Sequence, residues 1–239
     1  MHRFFTAPAA VADGYIQLDQ ESLAHIRVLR LGPRETFIVS DGAGLDYQCI
    51  LAGDRAEIVS AADNLAEPTV SCTVYLAYAK GERMDYAVQK SVELGADRIC
   101  LFPSDRCIVK MDEKTRPKKL ARWGKIALEA AKQSGRGKVP TVDALPDYPS
   151  ALTQAAGATV PLFLYEGEAQ RSLQAALEAH PQFDTVSLVI GPEGGFTEAE
   201  ALQAQAAGLL SVSLGKRILR CETAPVAALA AVMALTGNL

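Results

Sequence analysis

A glycine-rich segment between an apolar run and a helix start constrains the fold of this chain more than any other feature. Thr185–Ile190 is a short, β-branched run, typical of a buried parallel strand. Gly-Pro-Glu-Gly-Gly-Phe follows at 191–196, and Thr197 and Glu200 then form a capping-box pattern that begins a helix. Open α/β sheets bind ligands at glycine-rich turns between the carboxyl end of a strand and a helix. The sequence therefore predicts a ligand site at these glycines.

A second glycine turn, at Gly215, follows the next predicted strand, and the two turns together indicate one pocket. Neither turn matches a nucleotide-binding motif. The first has the spacing Gly-x-x-Gly-Gly instead of Gly-x-Gly-x-x-Gly, and Arg217 stands where a P-loop has Ser or Thr. We therefore interpret the pocket as one that contacts its ligand through backbone groups, without a strong phosphate requirement.

Two segments resemble the signature segments of a known family. Ile190-Gly-Pro-Glu-Gly-Gly195 and Leu214-Gly-Lys-Arg-Ile-Leu-Arg-Cys-Glu-Thr-Ala224 are similar to those of the RsmE family, the 16S ribosomal RNA uracil-N3 methyltransferases of the SPOUT superfamily. Cys221 and Pro225 depart from the family, which usually has Thr and a small residue there. Segments around Gln89–Gly95, Arg106 and Arg136 also resemble the family, so the match covers the second part of the chain and, more weakly, the first.

The resemblance implies an α/β fold with two domains. Residues 69–239 are expected to form a SPOUT-type, trefoil-knotted, parallel-sheet methyltransferase domain. Residues 1–68 are expected to form a small PUA-like β-barrel that binds RNA. The resemblance further implies S-adenosyl-L-methionine as cofactor, a homodimer, and 16S ribosomal RNA, in the assembled small subunit, as substrate.

The residue pattern gives a similar division without the family. Short runs of β-formers and one helix near Glu21–Leu29 occupy the first 68 residues, and Glu67-Pro68 marks a boundary. After it, strand-like runs alternate with helical patterns, which predicts a parallel sheet covered on both faces. The predicted strands of this part are Val70–Tyr78, Ile99–Phe102, Pro161–Leu164, Val186–Ile190 and Leu210–Leu214. The predicted helices are Arg83–Leu94, Thr115–Gln133, Arg171–Glu178, Glu198–Ala206 and Ala224–Thr236.

The two turns and the end of strand Pro161–Leu164 define the predicted cofactor-binding set. Its members are Leu164, Tyr165, Glu166, Gly191, Pro192, Glu193, Gly194, Gly195, Leu214, Gly215, Ile218, Leu219, Arg220, Thr223 and Ala224. Uracil N3 must lose a proton to become a good nucleophile, so a cation and a base are expected. Arg220 is the candidate cation and Glu222 the candidate base. A phosphate contact for Arg220, and a helix N-terminal carboxylate for Glu222, are the alternatives.

Charge is distributed unevenly along the chain. The net charge is −4, but the segment Arg106–Lys138 contains eleven Lys or Arg and three Asp or Glu, a local charge of +8. Local concentration of positive charge, more than net charge, predicts a phosphate-binding surface. A solvated helix face is the alternative. The predicted RNA-binding residues are Arg3, Arg106, Lys118, Arg122, Lys125 and Arg136.

Other classes of site and location receive little support. The five cysteines and three histidines are scattered, so no metal site is expected. The longest apolar run, Pro225–Leu235, is too short to span a bilayer, and the start lacks a signal-peptide segment, so a cytoplasmic protein is expected. Two functional alternatives stay open: a related methyltransferase acting on another RNA position such as a ribose 2′-hydroxyl, and an inactive RNA-binding module.

Overall fold

The computed structural model describes residues 1–7, 10–32, 34–168 and 170–239. Within them the chain divides into two compact units. The first comprises Met1–Glu67 and Ala131–Val139, and the second comprises Pro68–Ala130 and Pro140–Leu239. The first unit is therefore discontinuous in sequence, because it takes nine residues from the end of a long helix and the turn after it.

The first unit contains a six-stranded mixed sheet, whose strands in spatial order are β1 (Arg3–Phe5), β4 (Phe37–Ser40), β5 (Leu45–Ala52), β6 (Arg55–Asp63), β3 (Tyr15–Gln17) and β2 (Val11–Ala12). Within this sheet, as described, only the β1–β4 pair is parallel, and a register shift interrupts the β5–β6 pair between Gln48 and Cys49. Its core packs Phe4 edge-on against Phe37, with ring centroids 5.5 Å apart, next to Ile16 and Ile26. The elements are β1 Arg3–Phe5, β2 Val11–Ala12, β3 Tyr15–Gln17, α1 Gln20–Leu29, β4 Phe37–Ser40, β5 Leu45–Ala52 and β6 Arg55–Asp63.

Two half-buried side chains, those of Glu67 and Asn64, hold residues 131–139 within the first unit. Glu67 accepts hydrogen bonds from Arg136 Nη2 at 2.8 Å and from the backbone N–H of Gly137 at 2.9 Å. Asn64 Nδ2 donates to Asp46 Oδ2 at 2.8 Å and to the Gly135 carbonyl at 2.9 Å. These contacts satisfy polar groups that burial would otherwise leave unpaired at a cost in stability.

The second unit contains a six-stranded parallel sheet and six helices in its described residues. Its elements are β7 Ser71–Ala77, α2 Glu82–Glu93, β8 Arg98–Phe102, α3 Arg116–Ser134, which ends in the first unit, β9 Thr141–Ala144, α4 Tyr148–Ala155, β10 Val160–Leu164, α5 Leu173–Glu178, β11 Thr185–Ile190, α6 Glu198–Ala206, β12 Leu210–Val212 and α7 Thr223–Leu235. The strand order in the sheet is β12-β10-β11-β7-β8-β9.

Both faces of this sheet are covered, as the sequence predicts. On β11, Val189 packs with α4 and α6, while its alternating neighbours Leu188 and Ile190 are buried as well. The chain reaches one edge through β8 and β9 and then crosses to β10 on the other side of β7. Because the strands are parallel, the carboxyl ends of β10, β11 and β12 meet at one edge, where the connecting loops can form a site.

Several boundaries and elements differ from the sequence expectations. β12 ends at Val212 instead of Leu214, and α5 begins at Leu173 instead of Arg171, because the Ser172 side chain caps the helix by accepting from the Ala175 N–H. β9 and α4 lie in a stretch for which the pattern predicts no element, and α4 begins with Pro149 in its first turn. The long α3 places Trp123 in the core, where its indole Nε1 donates to Asp85 at 3.0 Å.

Candidate functional site

A cavity of about 720 Å³ lies at the carboxyl ends of β10, β11 and β12. Its volume falls in the range of about 300–1,000 Å³ that is usual for small-ligand sites. Three segments line it: the residues after β10, the first glycine loop (Gly191–Phe196) after β11, and the second glycine loop (Leu214–Cys221) after β12. The two turns predicted to share a pocket therefore do so.

The first glycine loop approaches the cavity closely because it has few side chains. Gly195 has φ +67°, which favours glycine, and a Cβ there would lie 2.7 Å from Glu166 Oε1. A Cβ at Gly191 would lie 3.1 Å from the Phe196 ring. Glycine at these two positions thus lets Glu166 and Phe196 pack directly against the loop backbone. Gly194 differs from these two glycines because it does not line the cavity. A Cβ at Gly194 would lie 3.0 Å from Arg106 Cβ.

Glu193 fixes the tip of this loop to the start of α2. Its Oε1 accepts from the Lys80 N–H at 2.8 Å and from Arg83 Nη1 at 2.9 Å. The residue before α2, Gly81, offers no capping side chain, so the Glu193 carboxylate supplies negative charge at this helix N-terminus. Burial raises the pKa of Glu193, but the Lys80 N–H and Arg83 lower it by more, and the pKa lies below its usual range.

The second glycine loop is more exposed. Residues 215–218 are all exposed, Ile218 at 83%. Gly215 has φ +108°, and a Cβ there would meet nothing within 4 Å. The Ser213 hydroxyl accepts from the Gly215 N–H at 3.2 Å, and the Arg220 carbonyl accepts from the Thr223 N–H at 2.9 Å. Glycine is thus required here for backbone conformation and not to make room for a neighbouring group.

The structure brings most of the predicted cofactor-binding residues together. Two members of that set, Gly194 and Thr223, are outside the cavity lining. The lining also includes residues that the sequence analysis did not select, namely Glu168, Gln170, Arg171, Ser172, Ile190, Phe196, Val212, Ser213, Lys216, Arg217 and Cys221. The segment 170–172 could have been found from the Ser172 capping pattern, which places it just before a helix at the same sheet edge.

The two candidate catalytic residues have different surroundings. Arg220 is exposed and lines the cavity. Glu222 does not line it; its Oε1 lies 3.8 Å from Arg83 Nε, and its Oε2 accepts from the Cys221 thiol at 3.2 Å. These surroundings favour the alternative given above, a carboxylate at a helix N-terminus, because Glu222 is the residue immediately before α7 and lies beside Arg83. Burial raises the pKa of the Cys221 thiol to about 12, so this departure from the family is not a reactive thiolate.

Two of the six predicted RNA-binding residues are buried in ion pairs. Arg136 is 2% exposed and pairs with Glu67. The Arg3 side chain is 11% exposed and pairs with Asp46 at 2.6 Å. Neither guanidinium is available to a phosphate in this arrangement, so both are corrected to structural residues of the first unit.

The other four predicted RNA-binding residues are exposed. Arg122 forms an ion pair with Asp85, so part of its charge is neutralised. Lys118 and Lys125 lie on the exposed side of α3. Arg106 donates from Nη1 to the Gly194 carbonyl at 3.0 Å.

Two further observations concern the classes of site considered above. In the described part of the chain, no group of three His, Cys, Asp or Glu is arranged to hold a metal ion. No helix of residues 1–7, 10–32, 34–168 and 170–239 is long and apolar enough to cross a membrane.

Comparison with known proteins defines the class to which this fold and cavity belong. Residues 66–233 match the family model of the RNA methyltransferase domain. Because the match covers more than half of the chain, the protein is an RNA methyltransferase by family.

Individual relatives define the family more narrowly. The ribosomal RNA small subunit methyltransferase E of Mesomycoplasma hyopneumoniae is 32% identical over 95% of this chain and 96% of its own. The crystal structure of a Neisseria gonorrhoeae ribosomal RNA small subunit methyltransferase E bound to S-adenosyl methionine is 36% identical, with a TM-score of 0.83 over 98% of each chain. The chain belongs to the ribosomal RNA small subunit methyltransferase E family, which confirms the resemblance and the α/β methyltransferase fold.

A third comparison is independent of that name. A putative methyltransferase from Legionella pneumophila, in complex with the bound cofactor SAM, is 28% identical, with a TM-score of 0.85 over 98% of this chain and 97% of its own. Two solved structures of this fold thus contain the same cofactor.

Proposed function

We propose that this protein transfers a methyl group from S-adenosylmethionine to N3 of a uracil in 16S ribosomal RNA. The observation that carries the proposal is the cavity, which is built by two glycine loops at one sheet edge in a chain 36% identical to a cofactor-bound relative. The residues fit the cofactor, because the cavity of about 720 Å³ has the size of a small-ligand site and two of its lining residues, Gly191 and Gly195, present backbone without a side chain. Backbone groups at Gly191, Gly195 and Leu214 would bind it, and Ile218 and Leu219 would cover its apolar parts.

The cofactor, when bound, supplies an activated methyl group, so the protein contributes mainly position and electrostatics. The walls of the cavity would determine the position of the uracil N3 relative to the methyl group. Arg220 is the residue we assign to the developing negative charge of the uracil, because it is a guanidinium on the cavity wall. Glu222 is not assigned as the base, since it lies outside the lining and next to Arg83.

The decisive experiment identifies the methylated nucleotide. Purified protein, labelled cofactor and unmethylated small subunits are incubated, and the ribosomal RNA is digested and mapped by mass spectrometry. Methylation at N3 of one uridine is expected. Methylation of a ribose 2′-hydroxyl would favour the related methyltransferase, and cofactor-independent RNA binding without transfer would favour the inactive module. Naked 16S RNA in a parallel reaction tests whether the assembled subunit is required.

The exposed lysines of α3 are proposed to contact RNA phosphates. Neutralising Lys118 and Lys125 together with glutamine should flatten the salt dependence of RNA affinity by about 1.4 units, since each contact on single-stranded RNA contributes about 0.7. Arg122→Gln is the matched control and should change the slope less, because Asp85 already neutralises that guanidinium. Parallel slopes for the double variant and the unmodified protein would mean that this surface is only solvated.

The last helix supports a homodimer as part of the proposal. α7 buries Leu229, Val232 and Met233, whereas Ala234 and Leu235 on its other side are exposed, Leu235 at 48%. An apolar helix with an uncovered side is a suitable place for a second copy of the chain. Light scattering should give twice the chain mass, and a monomer with full cofactor binding would contradict this. The trefoil knot and the PUA-like character of the first unit complete the proposal by family resemblance. A cytoplasmic location, expected from the sequence, is also part of it. The predicted division into 1–68 and 69–239 is kept with one change, that residues 131–139 join the first unit.

A further inference from the structure

Glu200 makes more contacts than its capping box requires. Its Oε2 accepts from the Thr197 N–H at 2.8 Å and from Thr197 Oγ1 at 3.0 Å, which completes the box at the start of α6. A capping glutamate is usually on the surface, but Glu200 is 3% exposed. Something other than the cap therefore accounts for its burial.

The second oxygen of Glu200 binds a distant segment. Oε1 accepts from Ser104 Oγ at 2.7 Å and from the Asp105 N–H at 3.0 Å. These donors belong to the β8 loop (Ser104–Cys107), which follows the carboxyl end of β8. One carboxylate thus accepts four hydrogen bonds, two from each of two segments that are almost a hundred residues apart in sequence.

The β8 loop carries Arg106 onto the first glycine loop. The loop is closed by a hydrogen bond from the Cys107 N–H to the Ser104 carbonyl at 3.0 Å. From it, Arg106 Nη1 donates to the Gly194 carbonyl at 3.0 Å, and its Cβ lies against Gly194. Arg106 is exposed, and Gly194 does not line the cavity. Arg106 therefore contacts the first glycine loop away from its cavity wall, with most of its five N–H donors available.

We propose that Glu200 is a positioning residue, which holds the β8 loop so that Arg106 presents its guanidinium to an RNA phosphate beside the cofactor cavity. Gly194 is next to Gly195, which lines the cavity, so a strand whose target base enters the cavity past the first glycine loop would pass Arg106. A planar guanidinium fixed there is suited to bind a phosphate through paired hydrogen bonds. The inference rests on the proposed function for the identity of the ligand, and on the Glu200 contacts for the coupling.

The plain alternative is that Glu200 only caps α6 and fills space. The two hypotheses differ in the role of the hydrogen bond from Ser104 Oγ to Glu200 Oε1. If Glu200 acts through Arg106, breaking the Ser104 bond should weaken RNA binding and leave cofactor binding alone. If Glu200 only caps the helix, the same change should alter neither.

The test is a double-mutant cycle between Ser104 and Arg106, with RNA affinity as the readout and a 16S RNA fragment or small subunit as the probe. Ser104→Ala should weaken RNA binding about fivefold, the size of one hydrogen bond, without changing cofactor affinity. Ser104→Thr keeps the hydroxyl and should restore most of the loss. Arg106→Gln should weaken binding by roughly tenfold, and adding Ser104→Ala to it should have no further effect.

Thr197→Val is the matched control on the other oxygen of Glu200. It removes the capping hydroxyl and should lower thermal stability while leaving RNA affinity within about twofold. Three results would overturn the inference. They are full additivity of Ser104→Ala and Arg106→Gln, equal RNA affinity of Ser104→Ala and the unmodified protein, and no measurable RNA binding by both of these proteins. Methyl transfer by the unmodified protein, assayed in the same preparation, tests the proposed function separately.

Discussion

The two glycine loops line the same cavity but are held in different ways. The first is fixed from two directions, by Glu193 at the start of α2 and by Arg106 of the β8 loop, which donates to the Gly194 carbonyl. In the second, Lys216–Leu219 donate no backbone hydrogen bond to any residue in the described ranges, and the side chain of Ile218 is mostly exposed. One wall of the cavity is built before a ligand arrives, and the other has few restraints of its own.

Because they are held differently, the two glycine loops are expected to contribute differently to ligand binding. The fixed wall can be complementary to a ligand at little entropic cost, because its backbone is already ordered. The second glycine loop must lose conformational freedom when a ligand covers it, which lowers affinity but allows the loop to adjust. Because Arg220 belongs to the second loop, the proposed catalytic cation is carried by the adjustable wall, and its final placement depends on the bound ligand.

The largest expected effect concerns that cation. Arg220→Gln should lower kcat for RNA methylation roughly 100-fold, the usual cost of losing one group that stabilises a developing anion. Arg220→Lys should retain part of the activity because it keeps the charge. Single-turnover methylation with saturating cofactor measures both variants. If kcat is unchanged in Arg220→Gln, the adjustable wall supplies no cation and the assignment fails.

The next effect compares alanine at one glycine of each loop. Gly195→Ala should weaken cofactor binding by about 10- to 30-fold, because positive φ costs about 1–2 kcal/mol for an L-residue and Glu166 must also move. Gly215→Ala should weaken it less, about threefold, since nothing lies near its Cβ and the loop can relax part of the strain. Calorimetric titration of cofactor into folded variants gives the ratio. Equal losses would mean that both loops are equally rigid.

The smallest effect is a pH dependence carried by two carboxylates, Glu193 in the first glycine loop and Glu200 in α6. Burial raises the pKa of the Glu200 carboxyl, but hydrogen bonds from Thr197, Asp105 and Ser104 lower it by more, and the net pKa, like that of Glu193, lies below its usual range. A depressed carboxyl pKa stabilises the folded state above the unfolded pKa, and this stability is lost as pH falls through the folded pKa.

Denaturant unfolding between neutral pH and about pH 3 can measure this dependence. Glu193→Gln and Glu200→Gln should each lower stability at neutral pH and make the acid loss less steep. Arg217→Gln, in the second loop, should leave the curve parallel to that of the unmodified protein. An unchanged acid slope in both glutamate variants would show that the first loop does not depend on these carboxylates.

Local patterns in the sequence were sufficient to predict the elements around the cavity and most of its lining. The strand before Gly191, the capping box at Thr197 and the second turn at Gly215 each have a signal within a few residues. Long-range pairs have no such signal. The Thr197–Glu200 pattern predicts the cap but not the bonds to Ser104 and Asp105, which depend on how β8 and α6 meet.

The charge of the segment Arg106–Lys138 was also misleading, because a long-range ion pair has no signal in the local sequence. Arg136 contributes to the local charge of the segment Arg106–Lys138, and nothing near it in sequence shows that Glu67 neutralises it. Burial decides whether a basic residue can contact RNA, and burial is set by the tertiary fold. A +8 segment therefore overstates the charge that is available at the surface.

The discontinuous first unit has a consequence for how the chain is made. Residues 1–67 leave the ribosome about 60 residues before Ala131, an interval of roughly 3–13 s at about 5–20 residues per second. During this time the Glu67 carboxylate lacks Arg136 and the Gly137 N–H, and Asn64 lacks the Gly135 carbonyl. All six strands of the first unit are present by then, but the unit lacks residues 131–139 until a later part of the same chain is made, and a fragment cut after Glu67 would keep these polar groups without their partners.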